Sequence, residues 1–240
     1  MYIVFLVLLL IIFATGSVLS VLRRKKPKAA IVTEKIRCKK YLKTTAHLWG
    51  LVIPIFIMCF IGDISLADIG FRPISFNYNI WFTVVTLIVS GLAFAYFIYE
   101  LIAPLVSNNS KEQNIGDSQG EFAAVLPRTK KEKWLFSLQT FSSAICEEIV
   151  FRGFLLFLLQ AIFPYMPIYL IILIACVIFG VSHLYQGLQG IISTGLIAVL
   201  LICLFLVTDS LILAMLLHFV TDFSATFILS EEQPQEKQTA

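Results

Sequence analysis

The stretch Cys146-Glu147-Glu148-Ile149-Val150-Phe151-Arg152-Gly153 sets two acids and an arginine inside an apolar run from Trp134 to Phe163. Ionisable side chains at membrane depth cost several kcal/mol, roughly 3 each on insertion scales. A chain keeps them only where they pair, line a wet cavity or do chemistry. Glu148 and Arg152 are i and i+4, so they meet on one helix face as an ion pair. Glu147 lies about 100° further round and is not neutralised by that contact. Glu148 therefore reads as the partner that holds Arg152, and Glu147 as the carboxylate left for other work.

The surroundings justify the membrane reading. Of 240 residues, 59% are hydrophobic and 14% charged, with a mean hydropathy of +0.90. A soluble domain carries about 25% charged residues. The fold class is all-α, a polytopic transmembrane helical bundle of about seven spans with a membrane-embedded polar cavity. Ten of the 18 lysines and arginines fall between Arg23 and Lys43. That cluster reads as a topogenic loop facing anionic lipid and does not point to nucleic acid. Cys38, Cys59, Cys146, Cys176 and Cys203 are scattered with no C-x-x-C, so neither a disulfide framework nor a zinc knuckle is inferred. Cys146, beside Glu147, reads as a packing residue before it reads as a ligand or nucleophile.

In chain order, residues 1–22 form a first span whose positive charge follows the apolar core, unlike a signal peptide. Cleavage near Ala14-Thr15-Gly16 is only weakly signalled. Residues 23–45 are a basic cytoplasmic segment. Residues 46–106 hold two spans, the first with Pro54 as a kink point and an outer end at Asp63, the second ending near Tyr96, Tyr99 and Glu100 as an interfacial belt. The outer loop between them carries one basic residue, Arg72. Residues 107–133 are a polar cytoplasmic linker. Residues 134–229 hold four further helices, turned at Pro164 and Pro167, at Gly187 and Gly190, and at Thr208-Asp209-Ser210. Asp209 or Ser210 is a helix cap there. The tail 230–240 is polar and reads as disordered. The N-terminus is expected outside and the C-terminus in the cytoplasm.

Depth along these helices tests whether the polar groups can meet. At about 1.5 Å per residue from the outer turn, Glu147 and His183 each lie about 24 Å down, His218 about 12 Å and Asp222 about 18 Å. His218 and Asp222 are i and i+4 and share a face. His47, at a span end, reads as interfacial. Three helices thus offer polar side chains in one layer of the bilayer.

A carboxylate, two histidines and an acid in a membrane cavity suit hydrolysis by activated water. Glu147, assisted by His183, would take the proton of the attacking water. His218, with Asp222, would stabilise the oxyanion. A second version has Glu147, His183 and His218 holding a divalent metal such as zinc, although no H-E-x-x-H is present.

Glu147-Glu148-x-x-x-Arg152, Phe179-x-x-x-His183 and His218-x-x-x-Asp222 resemble the three ordered motifs of the CAAX-protease and bacteriocin-processing (CPBP, or Abi) intramembrane proteases, relatives of the type II prenyl-protein endopeptidase. The resemblance covers about residues 130–229. It implies a helical fold around a cavity open toward the cytosol, with Glu147 and His183 activating water and His218 and Asp222 forming an oxyanion hole. Glu148 and Arg152 would be structural, and Phe179 would aim His183. The eukaryotic pattern ends in asparagine where this chain has Asp222. An ionised aspartate cannot donate to an oxyanion. Asp222 must therefore be protonated, orient His218 or bind a metal.

The function expected is an intramembrane endopeptidase acting on a membrane protein or peptide. A non-catalytic membrane partner, such as a bacteriocin-immunity protein, is the alternative. A transporter or proton relay is a third reading, because buried Glu and His also mark ion paths.

Overall fold

The structure is a computed structural model. It describes residues 2–12, 33–62, 64–106, 126–184 and 187–231, omitting the side chains of 104–106, 189 and 225–231. The weak cleavage signal at residues 14–16, the basic run 23–32, Asp63, most of the 107–133 linker and the tail from 232 onward lie outside the described residues.

Among the described residues every regular element is a helix. They are α1 (Tyr2–Ile12), α2 (Glu34–Ile61), α3 (Ile80–Val106), α4 (Lys130–Glu147), α5 (Leu156–Ile162), α6 (Ile168–Ser182), α7 (Gly187–Thr208) and α8 (Leu211–Glu231). A π-helical stretch, Glu148–Leu155, joins α4 to α5 without a break. Each of the seven stretches expected as spans carries helix. Length and composition qualify Glu34–Ile61, Ile80–Ala103 and Gly190–Thr208 as membrane crossings, while Tyr2–Ile12, Ile168–Ser182 and Leu211–Ser224 are shorter apolar helices.

The π-helical stretch is the hub. All eight of its residues are buried. Around it pack Val52 and Ile55 of α2, Ile171 and Ala175 of α6, and Ala198 and Ile202 of α7. Gly153 permits one close approach. A Cβ there would stand 2.6 Å from the carbonyl oxygen of Ile69. The loop that carries Ile69 is folded back over the bundle. Arg72 Nη1 pairs with Asp209 Oδ2 at 2.7 Å, and the Ser210 hydroxyl donates to the Arg72 carbonyl. Asp209, at φ 52°, takes the left-handed conformation that turns α7 into α8.

Several boundaries differ from the sequence expectation, α4 among them, which begins at Lys130 inside the stretch read as a linker. Helix α2 begins at Glu34, inside the segment read as a basic cytoplasmic loop, and Pro54 lies within it without ending it. At 28 residues α2 is about 42 Å long, more than the roughly 30 Å of hydrocarbon, so its basic end projects beyond the apolar layer. That end is helical because it has a partner. Arg37 is buried, and its Nε donates to Glu132 Oε1 of α4 at 2.6 Å. Thr129 and Glu132 form a reciprocal capping box at the start of α4. Helix α6 differs too, stopping at Ser182 instead of running to 186.

Candidate active site

Glu147 ends α4 one residue before the π-helical stretch. Its Oε1 accepts a 2.6 Å hydrogen bond from Ser143 Oγ, one turn earlier. Its Oε2 makes no hydrogen bond among the described residues and faces His183 Nε2 at 3.8 Å. The two side chains are 16% and 12% exposed, while Oε2 itself is buried.

His183 is not mid-helix, as the apolar run suggested. It is the residue that closes α6, where the last carbonyls lack helical partners. Its Nδ1 lies 2.9 Å from the Phe179 carbonyl oxygen and 3.1 Å from Ser182 Oγ. A carbonyl can only accept, so Nδ1 donates to it. In the neutral ring this leaves Nε2 with its lone pair toward Glu147. At 3.8 Å the two atoms are too far apart for a direct hydrogen bond, and a water that bridges them requires the closed Oε2 to open.

Glu148 does more than hold Arg152. Its Oε1 is 2.9 Å from Arg152 Nη1 and 2.7 Å from His218 Nδ1, and neither Glu148 nor Arg152 is exposed at all. The Arg152 nitrogens make no aligned hydrogen bond among the described residues. The guanidinium instead lies over the Phe179 ring, 4.3 Å from its centroid. Phe179 thus serves three neighbours. Its carbonyl orients His183, its face covers Arg152, and its edge meets Phe151 at 4.8 Å between centroids.

His218 stands between two carboxylates, with Nδ1 on Glu148 and Nε2 3.5 Å from Asp222 Oδ2. Of the three parts left open for Asp222, this contact supports the orienting one. Asp222 is the most open member of the group, its side chain 42% exposed. The three donors considered for a divalent metal are not gathered. Among the described residues no three His, Cys, Asp or Glu side chains could together hold an ion, and the His218 nitrogens both face carboxylates.

The structure therefore brings Glu147 to His183, Glu148 to Arg152 and His218, and His218 to Asp222. Sequence reasoning missed Ser143, although its i, i+4 spacing to Glu147 could have revealed it. It also missed the Glu148–His218 bond, which no local spacing encodes. Cys146 is 1% exposed and belongs to the hydrophobic core. His47, which the sequence placed at a span end, lies within α2 and is exposed.

A family model described as type II CAAX prenyl endopeptidase Rce1-like matches residues 129–224. The match makes residues 129–224 an Rce1-like region of the chain. The Rce1-like region opens at the Thr129 cap of α4 and closes just after Asp222 in α8, so it contains every residue of the polar cluster. Helices α1 to α3 precede it. No curated protein and no solved structure matches the chain.

Proposed function

We propose that the chain is an intramembrane endopeptidase in which Glu147 and His183 activate water against a peptide bond of a membrane-associated protein or peptide. The observation that carries this reading is the 3.8 Å separation of Glu147 Oε2 and His183 Nε2, with Oε2 making no hydrogen bond among the described residues. A buried carboxylate oxygen without a partner is costly, and Glu148 Oε2 shares that state, so what singles out Glu147 is that its oxygen faces His183. Glu147 takes a proton from the water as its oxygen attacks the carbonyl carbon. The C–N bond then breaks, and the same proton passes to the leaving amine. Ser143 holds the carboxylate, and the Phe179 carbonyl holds the ring of His183. For His218 to donate to the oxyanion through Nε2 its ring must be cationic, because Glu148 already takes the Nδ1 proton. The basic segment from Arg23 to Lys43 faces the cytosol in this reading, as do the C-terminus and the mouth of the site, while the N-terminus is outside.

A non-catalytic membrane partner would use the polar groups only to fix helix packing. The Glu148–Arg152–His218 cluster suits that role, but it leaves Glu147 Oε2 without a function. Comparative proteomics of the membrane fraction separates the two readings. With Glu147→Gln at wild-type abundance, an uncleaved precursor accumulates and its product disappears. Identical profiles at equal abundance would reject proteolysis.

A further inference from the structure

The basic end of α2 is two-faced. Arg37 turns into the bundle and is buried on Glu132. Lys35, Lys39 and Lys43, at i, i+4 and i+8, follow one exposed face. Lys131 of α4 is exposed beside them, and together with Glu34, Cys38 and Leu42 these side chains line an open groove of about 830 Å³. The arrangement is held by the buried pair beneath it. Glu132, the neighbour of Lys131, binds Arg37 with one oxygen and accepts the backbone N–H groups of Arg128 and Thr129 with the other. The edge-on packing of Tyr41 against Phe136, 5.1 Å between centroids, repeats the clamp further along. Four lysines therefore line the groove against a single carboxylate, Glu34, and no ion pair among the described residues takes them up. Like charges held together in this way call for an anion.

The same helix face continues into the apolar layer. At 100° per residue, Leu42, Trp49, Ile53 and Ile57 fall in line below Lys35 and Lys39. They are 52%, 37%, 53% and 50% exposed. The Trp49 indole N–H donates to Ser142 Oγ of α4, which fixes its ring on this face. A Cβ at Gly50 would meet nothing within 4 Å, which leaves open space beside the ring. From Lys39 to Ile53 the helix rises about 21 Å, close to one leaflet including its headgroups.

We propose that this face of α2 seats one anionic phospholipid, its phosphate held by Lys35, Lys39, Lys43 and Lys131 and its acyl chains lying along Leu42, Trp49 and Ile53. A free phosphate would use the lysines but not the stripe. A second copy of the chain would use the stripe but bring its own lysines to the groove.

The test uses the purified, delipidated full chain in detergent, with binding read by native mass spectrometry. Phosphatidylglycerol is compared with phosphatidylcholine of the same acyl chains. Phosphatidylglycerol is expected to bind at least about tenfold more tightly, and Lys39→Gln with Lys131→Gln to weaken it about twentyfold. Arg23→Gln with Arg24→Gln removes equal charge upstream and should leave binding within about twofold. Ile53→Asn should also weaken the lipid, and Lys39→Arg with Lys131→Arg should retain it. The proposal fails if both lipids bind alike, or if the upstream control loses as much as the groove variant. It also fails if inorganic phosphate binds as tightly with Ile53→Asn silent, or if the chain is a dimer that excludes lipid.

Discussion

Glu148 Oε1 lies 2.7 Å from His218 Nδ1, across 70 positions of chain. The same oxygen is 2.9 Å from Arg152 Nη1, so one carboxylate ties the hub helix both to itself and to α8. Arg152→Ala strands Glu148 beside a histidine alone, and Glu148→Ala strands Arg152 in an apolar core. Breaking a buried pair from one side costs about 3–5 kcal/mol. Each single variant should therefore lower the thermal unfolding midpoint and the cellular level. Glu148→Leu with Arg152→Leu should recover much of the stability without recovering cleavage. A midpoint for Arg152→Ala equal to wild type would contradict the pairing.

Ser143 acts on Glu147 alone. Its hydroxyl holds Oε1 at 2.6 Å and leaves Oε2 toward His183. A hydrogen bond to a charged group contributes about 1.5–3 kcal/mol. Ser143→Ala should slow single-turnover cleavage about tenfold or more with little change in unfolding midpoint. Ser143→Thr, which keeps the hydroxyl, should restore most of the rate. An unaltered rate in Ser143→Ala would remove the residue from the mechanism.

Gly153 closes the Glu147-to-Gly153 motif for a steric reason. The Ile69 carbonyl oxygen would be 2.6 Å from any Cβ, and backbone cannot yield as a side chain tip can. Gly153→Ala should destabilise by about 1–3 kcal/mol, the usual range for overpacking. The effect is read in the unfolding midpoint. Proteolytic nicking of the outer loop, which loses its seat, should rise with it. A midpoint at or above the wild-type value would show that the loop moves aside freely.

The Glu132–Arg37 pair makes stability depend on pH. Burial alone would raise the Glu132 pKa. The Arg128 N–H, the Arg37 side chain and the Thr129 N–H outweigh that and hold it below the ordinary carboxylate value. A depressed folded value means the stabilisation is complete above the unfolded pKa, about 4.3, and is lost as pH falls through the folded one. Glu132→Gln should be clearly less stable than wild type at pH 7, and the gap should close on acidification below about pH 4. A gap that stays constant down to pH 3 would show that the carboxylate's charge does not contribute.

Much of this protein is written locally. Apolar runs of about 20 residues must close their own backbone hydrogen bonds in lipid, so helices over the seven stretches follow from composition and order. The i, i+4 relation of Glu148 and Arg152, and that of His218 and Asp222, also survive intact, because a single helix turn sets them. The inner end of α6 was less legible. Hydropathy does not register that a histidine ring can satisfy the carbonyl one turn back, which is what ends that helix at His183.

Arg37 shows the limit most clearly. In sequence it is one cation among ten in a basic cluster, yet among the described members it is the buried one and meets an acid 95 positions away. The sequence by itself determined that ionisable groups must lie inside an apolar helical bundle, and on which helices. Tertiary structure alone decided that Glu148 is shared between Arg152 and His218, that Glu147 faces His183, and that α2 begins at Glu34. Composition and spacing measure a residue's fitness for lipid or water along its own helix. Partners on different helices are chosen by the packing of those helices, which no window along the chain contains.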